Sequence, residues 1–231
     1  EAWLIDQKSD LEIIKAGFEQ IPATYIADGH HRCASAVKVG LKRRQDNPGF
    51  TGNEEYNRFL SVLFPDDEMM IMDYNRVVKD LNGLSKEEFM AKLNDLFEVE
   101  NKGTNQVHPE SKGTFGMFID GEWYHLTAKA SILSDDAVEG LDVSVLQNSL
   151  LGPVLGIGDP RTDERIDFIG GIRGLEELER RVKEDMVVAF SMYPTSIEEL
   201  LAVADAHRLM PPKSTWFEPK LRSGMFIHRL F

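Results

Sequence analysis

One cysteine in 231 residues, Cys33, rules out an internal disulfide framework and fits a reducing compartment, so a cytoplasmic protein is expected. Long apolar runs are missing too. No window approaches the roughly 18–20 apolar residues of a membrane span, and the opening Glu1–Ile5 has no basic leader region. Basic residues are in short supply, with 26 Lys and Arg against 39 Asp and Glu and a net charge of −13. Such a field repels nucleic acid and anionic membrane at long range, so neither DNA nor a membrane is expected as a partner. Gly-x-Ser-x-Gly is absent, which disfavours a serine hydrolase. His-Glu-x-x-His is absent as well, and no internal repeat or low-complexity segment appears.

What is present is concentrated in Asp28-Gly29-His30-His31-Arg32, set between the apolar Tyr25-Ile26-Ala27 and a helical pattern. Cys33, Ala36, Val37, Gly40 and Leu41 recur at i, i+3, i+4, i+7 and i+8, one face of a helix on which Cys33 is expected to be buried. Asp28-Gly29 therefore reads as a turn into that helix, with two imidazoles and a guanidinium in its first turn. Free N–H groups and the positive end of the helix dipole gather there and favour an anion. Three readings stay open. Backbone N–H groups and the Arg32 fork hold phosphate oxygens, with a histidine as acid or base. Alternatively Asp28 and His30 chelate a divalent ion, or Asp28 is an N-cap and the histidines merely start a helix.

Along the chain, strands are expected at Trp3–Ile5, Thr24–Ala27, Phe59–Phe64 and Met69–Tyr74. Asp10 reads as the N-cap of a helix over Leu11–Phe18, and helices are expected at about 30–45 and 53–58. Ser85-x-x-Glu88 and Ser196-x-x-Glu199 are capping boxes. Thr114–Ile119, Asp120-Gly121 and Trp123–Thr127 form a hairpin with a type I′ turn. Helices over Val143–Leu151 and Leu175–Glu184 and strands over Ile166–Ile169, Met186–Met192 and Gly224–Phe231 complete the pattern, with Asn101–Lys112 as a mobile connection. The expected class is α+β (mixed α/β), a mixed sheet with flanking helices, in two parts at 1–100 and 113–231 packed as one unit.

Three further groupings carry chemistry. In Met210–Lys220, the run Lys213-Ser214-Thr215 lacks the glycines of a P-loop, yet a rigid loop with Lys213, Ser214 and Lys220 beside Trp216 and Phe217 suits an anionic ligand with a flat ring. A proline-rich strap packing two aromatics explains it equally. Gly170-Gly171-x-x-Gly174 with Arg173 is a second phosphate turn or a tight helix entry. Asp73 in Asp73-Tyr74-Asn75-Arg76 either holds Mg²⁺ beside bound phosphates or pairs with Arg76.

The Asp28–Arg32 run resembles the phosphate-binding turn of the ParB/sulfiredoxin-like superfamily, whose members include nucleotide switches, sulfiredoxins and small-molecule kinases acting on serine. Most of the chain is similar to the uncharacterised bacterial DUF1015 family. The matching stretches are Tyr25–Arg44, Phe64–Arg76, Leu155–Gly174, Ala189–Ser196 and Met210–Lys220 with Arg222-Ser223-Gly224. The resemblance implies a carboxy-terminal portion of such a protein, with a ParB/sulfiredoxin-like element around Asp28–Arg32. It implies a nucleotide-dependent phosphotransferase or NTPase using ATP or ADP with Mg²⁺. Asp28, His30 and His31 are then the catalytic candidates. Gly29, His31, Arg32, Lys213, Ser214 and Arg222 are the phosphate or nucleotide ligands, and Asp73 the metal candidate. The rival expectation is a non-catalytic nucleotide-binding regulator or interaction protein of the ParB-like class. In either case the partner is a nucleotide or other small molecule.

Overall fold

The computed structural model describes residues 2–218, 220 and 224–230. They fall into two compact units, 1–61 with 226–231, and 62–225. Residues 97–103 and 114–119 both pair with 122–128, so the stretch 101–112 joins two strands of one sheet in the larger unit.

The smaller unit carries α1 (Lys8–Phe18), α2 (His30–Asp46) and a 3₁₀ turn at Glu55–Asn57. α1 starts a turn earlier than expected: Gln7 is its N-cap, and Asp10 sits in the first turn, where a carboxylate suits the dipole. The expected strands at Trp3–Ile5, Thr24–Ala27 and Phe59–Phe64 are not strands. Their β-forming residues need a ladder partner, and among the described residues none pairs with them. Apolar side chains stay in the open as a result, with Trp3 79% and Leu4 85% exposed. Cys33 is half-buried, while Val37 and Leu41 on the same helical face are exposed. No strand forms over 224–230. Within this unit, Arg43 donates to the Leu230 carbonyl at 3.1 Å and His228 meets Glu55 at 2.8 Å.

The larger unit is built on a six-stranded sheet in the order β3-β5-β4-β7-β2-β6. Its strands are β2 (Tyr74–Val78), β3 (Phe97–Gly103), β4 (Thr114–Ile119), β5 (Glu122–Ala128), β6 (Ile166–Gly170) and β7 (Val188–Met192). β1 (Met70–Met72) and β8 (Trp216–Glu218) form a separate two-stranded sheet. The class is α+β. Every pairing in the six-stranded sheet is antiparallel, so its mixture lies in strand order rather than direction.

Side chains alternate across this sheet and feed two apolar layers. Phe115, Met117, Val188 and Phe190 face one way, with Phe89 and Leu93 of α3 (Lys86–Leu96) and Val143, Val145 and Leu146 of α4 (Asp142–Leu146). Val77, Phe118, Trp123 and Ala189 face the other, with Leu175 and Leu178 of α5 (Leu175–Glu184). Both capping boxes form as expected, Ser85 with Glu88 opening α3 and Ser196 with Glu199 opening α6 (Ile197–Asp205). Asp120 and Gly121 both take positive φ (53° and 80°), the type I′ geometry that matches strand twist in the β4–β5 hairpin. The helix expected over Val143–Leu151 changes pitch, with α4 passing into a π-helical turn at Gln147–Leu151.

Two departures bear on function. The stretch 101–112 is anchored rather than a loose connection. β3 extends into it as far as Gly103, Val107 is buried, and the Ser191 hydroxyl donates to the Val107 carbonyl at 2.7 Å. The single strand expected at Met69–Tyr74 is broken at Asp73, where the chain leaves β1 and enters β2. There the Asp73 carbonyl accepts from the Gly171 N–H at 2.9 Å.

Candidate functional site

The α2 turn forms where the residue pattern places it. Gly29 takes φ +82°, a left-handed conformation that glycine adopts without strain, and no side chain caps the helix. The N–H groups of the first turn therefore lack intrahelical partners, and no acidic residue lies in that turn. Arg32 folds back over the turn: its Nε and Nη2 lie 3.4 and 3.5 Å from where a Gly29 Cβ would stand. Asp28 Oδ1 accepts from the Gly29 N–H at 2.7 Å. Asp28, His30, His31 and Arg32 are exposed and Gly29 is half-buried. Guanidinium, imidazoles and free N–H groups thus share one surface patch, a chemistry that suits an oxyanion.

The other three groupings converge in the larger unit, at the start of β2. Tyr74 and Arg76, two residues apart, share one face of the strand; Asp73 and Asn75 share the other. On the second face, Asn75 Nδ2 donates to Asp73 Oδ2, and Asn75 Oδ1 accepts from the Met192 N–H at 2.8 Å. Gly170 and Gly171 make this packing possible. A Cβ on Gly170 would stand 2.5 Å from Trp216 Cε3, and one on Gly171 would stand on the Asp73 carboxylate. Gly170 pairs with Tyr74 across the ladder, so Trp216 lies where a side chain opposite Tyr74 would project.

On the first face, the Trp216 ring meets Tyr74 at 5.4 Å between centroids, and Phe168 meets Tyr74 at 5.9 Å. Arg76 is buried, and burial pulls its guanidinium down to about 10. It donates to the Tyr74 carbonyl and, at 3.0 Å, to the Lys213 carbonyl, with its Cζ 5.6 Å over the Phe168 ring. The ion pair expected between Asp73 and Arg76 does not form, since the strand sends the two side chains to opposite faces. Lys213 Nζ lies 3.4 Å from the Tyr74 hydroxyl. Ser214 is buried, and its carbonyl accepts from the Thr195 hydroxyl at 3.1 Å. Arg222 lies outside the described residues.

For a metal, Asp73 offers one carboxylate with an oxygen already bonded to Asn75. Among the described residues, no group of three or more His, Cys, Asp or Glu side chains gathers. These residues do not make a magnesium site of their own. Of the scattered histidines, His228 has a carboxylate neighbour, Glu55.

One group was read with another partner and one escapes a sequence reading. Arg76, expected to pair with Asp73, instead precedes Val77-Val78 as a buried cation in an interior strand. Asp142 sits between Leu141 and Val143, is 7% exposed, and takes the Gly113 N–H on both oxygens at 2.9 and 3.1 Å. Burial, with the neighbouring Glu199 adding to it, pushes its carboxyl up to about 7 against the pull of Gly113 and Lys112.

An antiparallel α+β protein with an open, cationic helix entry is the class these features define. The model of the family described as "Protein of unknown function (DUF1015)" matches residues 1–144, and the chain belongs to that family. No curated protein matches the sequence. Among solved structures, a mutant free serine kinase in complex with ADP is similar at 15% identity and a TM-score of 0.46, over 94% of this chain and 82% of that one. Free serine kinase in complex with AMP gives 14% and 0.42, over 93% and 81%. A conserved hypothetical protein from Pyrococcus furiosus gives 14% and 0.45, over 90% and 81%. Likeness at this level carries no argument about ligand or reaction.

Proposed function

We propose that this chain binds the phosphates of a nucleotide, ATP or ADP with its accompanying Mg²⁺, at the start of α2. One observation carries the reading: the helix entry is uncapped, free of acid in its first turn, and covered by the Arg32 guanidinium. Backbone N–H groups of His30 and His31 and the Arg32 fork take the phosphate oxygens, while the Gly29 N–H is held by Asp28. In the catalytic form of the proposal, Asp28, His30 or His31 exchanges the acceptor's proton as a phosphoryl group leaves the nucleotide. The openness of the turn favours a second form, a ParB-like nucleotide-binding regulator that transfers nothing, because phosphoryl transfer gains from a site that excludes water. Either form belongs in the cytoplasm, and among the described residues no helix is long and apolar enough to cross a membrane.

A thermal-shift screen with ATP, ADP, CTP, GTP and inorganic phosphate, with and without Mg²⁺, tests the reading. A concentration-dependent rise that Arg32→Ala abolishes is the expected result. A rise that Arg32→Ala leaves intact removes the phosphates from this turn. Nucleotide hydrolysis in the wild-type protein, lost in Asp28→Asn or His31→Ala, separates the catalytic form from the regulator.

A further inference from the structure

The face of β2 that carries Tyr74 and Arg76 holds more positive charge than the fold needs. Arg76 is 3% exposed and, among the described residues, no carboxylate pairs with it; two carbonyl oxygens and the Phe168 ring are its partners. A buried guanidinium costs several kcal/mol of desolvation, which carbonyl dipoles offset only in part. A second cation stands beside it. Lys213 takes φ +56°, a conformation that residues with a Cβ rarely adopt, while its carbonyl is bonded to Arg76. The Lys213 side chain reaches the Tyr74 hydroxyl at 3.4 Å and lies 5.6 Å from the ring centroid. An exposed ammonium and a phenol hydroxyl therefore face one spot, above a backbone carbonyl that the buried guanidinium holds.

The carboxylates nearby are engaged elsewhere. Asp73 projects from the other face of the strand onto Asn75. Glu218 accepts from the Trp216 indole N–H at 2.8 Å and from the Lys220 backbone N–H at 3.1 Å.

We propose that Lys213 Nζ and the Tyr74 hydroxyl, backed by the buried charge of Arg76, hold a phosphoryl group in the larger unit. Two cations match a phosphate dianion, whereas a carboxylate would neutralise one of them. Lys213 serves as the exposed point charge and Tyr74 as the donor. Arg76 is a positioning residue: it fixes the Lys213 backbone and raises the local potential. This site does not rest on the α2 reading, and it gives Lys213 a ligand of its own.

Calorimetric titration with inorganic phosphate at constant ionic strength tests it in an Arg32→Ala background, which removes the α2 turn. One saturable site is expected there. Adding Lys213→Ala should weaken it about tenfold or more, and Tyr74→Phe by several-fold, as lost charge-assisted and neutral hydrogen bonds do. Sulfate should compete and acetate should bind more weakly. Circular dichroism checks that each variant is folded. Absence of a saturable site in Arg32→Ala, or a site of unchanged affinity after Lys213→Ala, overturns the proposal. Phosphate binding lost in Arg32→Ala alone would overturn it while leaving the α2 reading standing.

Discussion

Replacing Asp142 with asparagine should flatten, and at alkaline pH raise, the stability of the larger unit. In the folded chain its carboxyl is pushed from 3.8 up to about 7, first by burial and then by Glu199, while the Gly113 N–H and Lys112 pull the other way. The charged groups acting on it are Glu199 on α6 and Lys112 just before β4. Between these two values the folded protein holds a proton that the unfolded chain has lost. Unfolding free energy therefore falls as pH rises through that window and levels off above about 7. At roughly 1.4 kcal/mol per pKa unit the full effect is about 4 kcal/mol, an upper bound. The α4 N-terminus also favours the ionised form, so about 2–3 kcal/mol is the working figure.

Exposed carboxylates with lowered values, such as Glu54 and Asp159, both at about 2, lose their contribution only in strong acid. Among these carboxylates, the range from pH 5 to 8 belongs to Asp142. Urea midpoints across that range, at constant ionic strength and read from the buried Trp123, provide the assay. Wild-type midpoints should decline towards pH 8. Asp142→Asn keeps an oxygen for Gly113 and should show no decline. A wild-type curve that is flat or rising, or a variant with the wild-type slope, would refute the reasoning.

Other consequences are local. Gly170→Val places atoms inside the Trp216 ring, so Trp216 must leave Tyr74; a loss of about 1–3 kcal/mol and an altered near-ultraviolet dichroism are expected. Ser191→Ala strands the Val107 carbonyl, costing about 1–3 kcal/mol, with faster hydrogen exchange over residues 104–110 as its signature. Ser85→Ala removes one half of a capping box and should cost about 0.5–2 kcal/mol in urea unfolding, without changing the sheet.

Local patterns of the larger unit were legible residue by residue. Asp120-Gly121 specifies its turn through positive φ, and Ser85-x-x-Glu88 and Ser196-x-x-Glu199 specify helix starts, because the atoms involved are three residues apart or fewer. The strands of the smaller unit were not, since β-propensity supplies no partner: Trp3–Ile5 and Thr24–Ala27 form no strand. Pairing on α5 shows the same limit at short range. The spacing predicts Glu177 with Arg181, but Arg181 takes Asp185 and Asp167, each at 2.8 Å, and Glu177 takes Arg180. The motifs around Asp73, Gly170 and Lys213 were each visible, but not their union. Arg76 and Lys213 are 137 residues apart, and only the sheet brings them within a hydrogen bond.

Binding of ADP to the wild-type protein and to Arg32→Ala, measured by calorimetry with Mg²⁺ present, tests the central claim most directly. Saturable binding to the wild type, lost in a folded Arg32→Ala protein, is the predicted result. Equal affinity in the two proteins would contradict it.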